Sequence, residues 1–238
     1  MKTALIVGGS RGIGREIVIK FTQNGYNCAF TYLNSGAEAR SLSKNTGAAA
    51  FKCDCADYAQ TEASCKEILS QLGHVDVLVC NAGAASYGLF TELSPKEWDR
   101  LFAVNVKSIY NASHFILPQM ISRKSGSVIT MSSIWGEAGA SCEAAYSAAK
   151  AAVIGLTKAL AKELGPSGIR VNCISPGVIN TQMLHGFSPE DLNELAAQSA
   201  LGRIGTPDEV ANAALFLAST EAGFITGQVL GVDGLFNA

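Results

Sequence analysis

The chain is short of charge. Only 16% of its 238 residues are Asp, Glu, Lys or Arg, against 48% hydrophobic residues, and the formal net charge is −2. Without a basic excess there is no electrostatic footprint for a nucleic-acid partner. A surface so poor in charge predicts that further copies of the chain cover part of its apolar area. No stretch approaches the roughly 20 apolar residues of a membrane span, so no membrane partner is expected. Met1-Lys2 runs into Thr3–Val7, an apolar run too short for a signal-peptide core. The three histidines, His74, His114 and His185, have no metal-ligand spacing, and no metal site is expected. Cys-x-x-Cys does not occur. The seven cysteines are scattered, and Cys28, Cys80 and Cys173 lie in apolar strand-like runs. They read as buried thiols of a reducing cytosol. Cys53-x-Cys55 is set aside as a redox pair, on the expectation that strand neighbours point to opposite faces. There is also no linker, repeat or low-complexity tract. What remains is one cytoplasmic domain over residues 1–238.

What is present is alternation. Short apolar runs at Thr3–Val7, Asn27–Tyr32, Ala49–Cys53, Val75–Cys80, Ser127–Met131, Arg170–Ile174 and Val229–Val232 read as buried parallel strands. Between them the pattern is helical at Ile13–Gln23, Gly36–Lys44, Gln60–Leu72, the Lys96–Ser122 region, Ala144–Leu164 and Pro207–Ala218. This predicts an α/β Rossmann fold with a doubly wound, seven-stranded parallel sheet and helices on both faces. Residues 180–202 form the one long excursion, expected to be a partly helical lid over the C-terminal edge of the sheet.

The first strand runs into Gly8-Gly9-Ser10-Arg11-Gly12-Ile13-Gly14 and then a helix. Glycines permit the tight turn and the close approach of a pyrophosphate to the helix N-terminus. Gly8, Ser10, Arg11, Gly12, Ile13 and Gly14 are therefore candidate dinucleotide contacts. An NAD site carries an acid at the end of the second strand. Here that stretch is Thr31-Tyr32-Leu33-Asn34-Ser35, while Arg11 can reach a 2′-phosphate, so NADP(H) is expected, with Asn34 near the adenosine ribose. Asp54, with Cys55, follows the third strand and suits an adenine contact or a helix cap. Asn81-Ala82-Gly83 ends the fourth strand. Pro176, Gly177, Ile179 and Thr181 follow the sixth, where a nicotinamide amide can be held. All these positions fall at C-terminal strand ends, where open α/β sheets bind ligands.

Tyr146 and Lys150 stand four apart, on one helix face. A phenol has a reference pKa of about 10, and a neighbouring ammonium is expected to lower it. Ser133 can donate to a substrate oxygen. That set is acid–base chemistry on a C–O bond beside a hydride source.

The glycine turn, Asn81-Ala82-Gly83, Asn105, Ser133, Tyr146, Lys150 and Ser175-Pro176-Gly177 together resemble the short-chain dehydrogenase/reductase superfamily along the whole chain. The resemblance implies that Tyr146 donates the proton and Ser133 orients the carbonyl. Lys150 would lower the Tyr146 pKa and bind the ribose, and Asn105 would hold a relay water. Gly202–Val210 and Ile225-Thr226-Gly227-Gln228 are similar to 3-oxoacyl-[acyl-carrier-protein] reductases, which implies a homotetramer acting on a carrier-borne ketone. Arg123 and Lys124 would supply part of a patch for the acidic carrier, but Ser167 stands where carrier-using members have a second base. The loop from Ser132 to Glu143 is instead similar to elongation factor P 5-aminopentanone reductases, with Glu143 where carrier-protein reductases often carry Gln. Trp135, Glu143 and Met183 are the candidate substrate contacts beside Ser133. The leading expectation is a 3-oxoacyl reductase, followed by an aminopentanone reductase. A general small-carbonyl reductase and a non-catalytic dinucleotide-binding regulator stand behind them.

Overall fold

The computed structural model describes residues 1–184 and 186–236. Seven strands form one sheet in the order β3-β2-β1-β4-β5-β6-β7, every pairing parallel. They are β1 (Thr3–Val7), β2 (Asn27–Tyr32), β3 (Ala49–Lys52), β4 (Val77–Cys80), β5 (Gly126–Met131), β6 (Ile169–Pro176) and β7 (Val229–Val232). The inner strands are mostly buried on both sides because helices cover both faces of the sheet. α1 (Gly12–Gln23), α2 (Gly36–Thr46) and α8 (Pro207–Ala218) pack one face, with Ile6, Val18, Phe21 and Phe30 at its centre. α3 (Tyr58–Leu72), α5 (Ser108–Arg123) and α6 (Ala144–Leu164) pack the other, around Leu5, Leu78, Ile116 and Val171. The strand order reverses between β1 and β4, which opens a crevice at their C-terminal ends.

The Lys96–Ser122 region is not one helix. α4 (Pro95–Phe102) passes through a π-helical turn, Ala103–Lys107, before α5 begins. Asn105 sits in that turn, and its side chain leaves the helix axis to bond the backbone of Ala84. Such one-residue expansions are invisible to a 3.6-residue pattern and recur at functional sites. The 180–202 excursion contains a 3-10 turn at Gln182–Leu184 and α7 (Pro189–Ala197), which starts with a Ser188/Asp191 capping box. His185 lies outside the described residues.

Cys53 and Cys55 depart from the expectation of opposite faces. β3 ends at Lys52, and residues two apart would in any case share a face. The two are neighbours: Cys55 Sγ donates to the Cys53 carbonyl at 3.9 Å, and the contact between the thiols lowers Cys53 while it and burial raise Cys55. All seven cysteines are free thiols, six buried and Cys142 partly exposed.

Candidate active site

The glycine turn is shaped by close contacts. A Cβ on Gly8 would lie 2.8 Å from Ala82 Cα, and one on Gly14 would strike the Gly8 carbonyl at 2.1 Å. Gly8 and Gly12 adopt φ of +77° and +53°, which glycine accepts without strain. The Gly8 amide donates to Thr31 Oγ1 at 3.1 Å, and Asn81 Nδ2 donates to the Gly8 carbonyl at 2.8 Å. Thr31 Oγ1 also shares a hydrogen bond with Cys55 Sγ at 3.2 Å, so Cys55 supports the turn from beneath. Thr31 was invisible as a site residue in the sequence because its part depends on the β1–β2 register.

This cradle fits a dinucleotide. The N-terminus of α1 has no side-chain cap and no acid in its first turn, leaving amides free for a pyrophosphate. Arg11 is exposed at the N-cap, and Ser10 and Ser35 share a 2.5 Å hydroxyl contact. Ile13 lies in the first turn of α1, and Asn34 is exposed just beyond β2. Opposite the turn, Thr181 Cγ2 would be 3.5 Å from a Cβ on Gly12, bringing the loop after β6 across the crevice. Pro176 ends β6. A Cβ on Gly177 would meet Asp233 Cα at 2.7 Å, and Ile179 is buried against Gly205. Asp54 does not cap α3. Its carboxylate accepts from the Ala56 amide, while Asp57 accepts from Gln60 and caps the helix.

Asn105, Ser133, Tyr146 and Lys150 converge across the mouth of this cradle. Asn105 Nδ2 donates to the carbonyls of Ala84 and Leu101, at 2.8 and 2.9 Å. A Cβ on Gly83 would lie 3.0 Å from Asn105 Oδ1 and 3.3 Å from Lys150 Nζ, so all three meet at one point. Lys150 Nζ donates to the Met131 carbonyl at 2.9 Å and lies 5.6 Å from the centre of the Tyr146 ring. Ser133 precedes a 3-10 turn, Ile134–Gly136, and its Oγ accepts from the Trp135 amide at 3.2 Å. That turn is locked to α6 because Ser132 Oγ donates to the Lys150 carbonyl and Gly136 leaves no room for a side chain there.

The electrostatics differ from the expectation. Burial pushes the Tyr146 phenol up to about 12; the Ser133 hydroxyl lowers it in part, and the Glu143 carboxylate raises it. Lys150 is itself pulled down to about 8 by burial. Desolvation penalises the charged form of both groups, so the phenol is kept protonated.

Beside the first turn of α6 is a cavity of about 290 Å³. Glu92, Glu97 and Glu143 line it with Tyr87, Leu89 and Phe90, and no Lys or Arg does. Glu97 is held by a bidentate contact from Arg100, whereas Glu92 and Glu143 have no cation within ion-pair reach among the described residues. Burial raises the Glu143 carboxyl. Met183 is exposed on the 180–202 segment and does not line this cavity. Arg123 is committed elsewhere. It pairs with Asp76 at 2.5 Å, at the N-terminal edge of the sheet, the opposite edge from Tyr146. Lys124 caps α5 at that same edge.

Fold and site together define an oxidoreductase of the dinucleotide-binding α/β class. The chain belongs to the short-chain dehydrogenase/reductase family: residues 7–237 match the family described as enoyl-(acyl carrier protein) reductase. It is 42% identical to the 3-oxoacyl-[acyl-carrier-protein] reductase FabG of Chlamydia muridarum, covering 98% of this chain and 96% of that one. It is 39% identical to the acetoacetyl-CoA reductase of Shinella zoogloeoides, over 98% of this chain. A Serratia marcescens short-chain dehydrogenase/reductase, solved as a double mutant, superimposes with a TM-score of 0.92 at 35% identity, covering 100% of this chain and 98% of that one. The enzyme acts on CH–OH/C=O groups.

Proposed function

We propose that this enzyme is an NADPH-dependent ketoreductase that reduces a 3-oxoacyl thioester to its secondary alcohol. The convergence of Asn105, Ser133, Tyr146 and Lys150 beside the Gly8–Gly14 cradle carries this reading. NADPH, when bound, supplies the hydride for the carbonyl carbon. Tyr146 donates its proton to the carbonyl oxygen, which a phenol kept neutral by burial is suited to do. Ser133, whose oxygen already accepts from the Trp135 amide, donates a hydrogen bond to the same oxygen and keeps its proton. Lys150 spends one N–H on Met131 and has two more for ribose hydroxyls. Asn105 holds the water that returns a proton to this group. Arg11, with no acid at the end of β2, supports NADPH over NADH. A KM for NADPH above that for NADH would overturn that choice. We place the enzyme in the cytoplasm as a homotetramer.

A second reading is favoured by the acidic cavity. A carboxylate such as Glu143 is wasted on a neutral thioester but can pair with a substrate ammonium, as an aminoketone on a lysine of elongation factor P presents. The sequestering of Arg123 by Asp76 also removes one base from the patch an acidic carrier needs.

The experiment compares NADPH oxidation with an acetoacetyl thioester and with a peptide-borne aminoketone at equal concentration. Faster thioester turnover supports the first reading. Turnover confined to the aminoketone, and falling in Glu143→Gln, replaces it with the second. No oxidation with either substrate overturns both.

A further inference from the structure

The C-terminal segment reaches the catalytic loop, and nothing in the linear pattern announces it. Phe236 stands edge-on to Trp135, ring centres 5.7 Å apart and planes at 89°. This T-shaped arrangement is a favoured geometry for two aromatic rings. Trp135 is no passive neighbour, since its amide is the donor to Ser133 Oγ. A shift of Trp135 that carries its backbone along therefore moves a hydrogen bond that holds the Ser133 oxygen.

Phe236 is fixed from the other side. It forms an antiparallel bridge with Ser199, just past α7. The Ala200 amide donates to the Leu235 carbonyl, and Ser199 Oγ donates to the Gly234 carbonyl at 3.0 Å. Gly234 has no room for a side chain, with Ser199 Oγ 2.4 Å from its Cβ position. Leu235 is held at φ +55°, a left-handed conformation that a non-glycine residue adopts only when its surroundings impose it. The tail is thus tied to the end of the 180–202 segment and braced against the loop that carries Ser133.

We propose that Phe236 is a positioning residue for Ser133, acting through Trp135, and that the Gly234–Phe236 strap transmits the position of the 180–202 segment to the catalytic hydroxyl. The inference rests on the ketoreductase reading in which Ser133 binds the carbonyl oxygen. Its signature is a loss in kcat with little change in the KM for NADPH, since Phe236 bears on the loop that carries Ser133 and not on the Gly8–Gly14 cradle.

The test measures kcat and KM with NADPH and acetoacetyl-CoA for the wild type, Ser133→Ala, Phe236→Ala, Phe236→Leu and Phe236→Tyr. Phe236→Ala is expected to lose roughly ten- to a hundredfold in kcat, the scale of a misplacement of about 1 Å. Phe236→Tyr keeps the ring edge and should recover most of that loss. Phe236→Leu keeps the bulk without a flat ring and should fall between them, which preserves the test should the alanine variant not fold. Trp135 emission, read in a Trp98→Phe background where it is the only indole, should shift to the red in Phe236→Leu. Phe236→Ala or Phe236→Leu retaining the wild-type kcat would overturn the proposal. So would Phe236→Tyr falling as far as the others. If the wild type does not oxidise NADPH, or Ser133→Ala is as fast as the wild type, the ketoreductase reading fails and the proposal with it.

Discussion

Lys150 carries its charge where water hardly reaches. Burial lowers its pKa to about 8, so the ammonium is protonated below that pH and neutral above it. Reductive kcat/KM should be level at lower pH and fall as pH rises through about 8. Lys150→Arg cannot lose its charge in that range, and its slower reaction should lack the falling limb. A pH–rate profile of the two forms checks this, and an identical limb in both would assign the ionisation elsewhere. Tyr146 is held protonated up to about 12, so in the reductive direction its own ionisation should not appear below that pH. Removing its hydroxyl in Tyr146→Phe should cost roughly 10²–10⁴-fold in turnover, the usual contribution of a positioned acid. Titration of NADPH fluorescence should still show binding, because the cradle of Gly8 to Gly14 is untouched.

At the scale of elements, β1, β4 and α5 are pinned together by one carboxylate. Asp76 accepts from the Thr3 amide at 2.8 Å and from Arg123 at the end of α5, and His74 lies 3.2 Å away. Burial raises the Asp76 carboxyl, but the Arg123 and Thr3 hydrogen bonds and the His74 charge outweigh it, and the group stays below its ordinary value. The folded chain therefore takes up this proton less readily than the unfolded chain does. The stability it gives is complete above the unfolded pKa of about 3.9 and is lost as pH falls through the lower folded value. Asp76→Ala should lower the unfolding free energy by about 1–3 kcal/mol, because it strands the Thr3 amide and the Arg123 guanidinium. Urea unfolding at neutral pH measures the loss. Below about pH 4 the gap between variant and wild type should narrow.

At the scale of the whole molecule, apolar area remains outside the two cores. Phe224 is fully exposed, and Phe216 and Leu230 are exposed on the same C-terminal part of the chain, around α8 and β7. Burying one such side chain gains about 1.5–3 kcal/mol, which favours covering it with another subunit. If the enzyme is the proposed tetramer with β7 at a subunit contact, Phe224→Asp should shift sedimentation velocity to smaller species. A wild type that sediments as a monomer would refute the assembly.

The linear sequence determined what local pattern and covalent geometry determine. Runs of apolar residues marked the strands, with β1, β2 and β7 found at the expected limits. The glycines marked the turn, and the four-residue spacing of Tyr146 and Lys150 on α6 put both on one side of the site. Tertiary structure decided the rest, because those features depend on contacts between distant segments and on exclusion of water. It expanded the helix at Asn105, drew Cys53 and Cys55 together, and turned Arg123 toward Asp76. It also brought Phe236 to Trp135 across 101 positions of the chain. The titration of Tyr146 and Lys150 belongs to the same class. Their spacing was legible, but desolvation sets their proton affinities, and only the folded chain desolvates them.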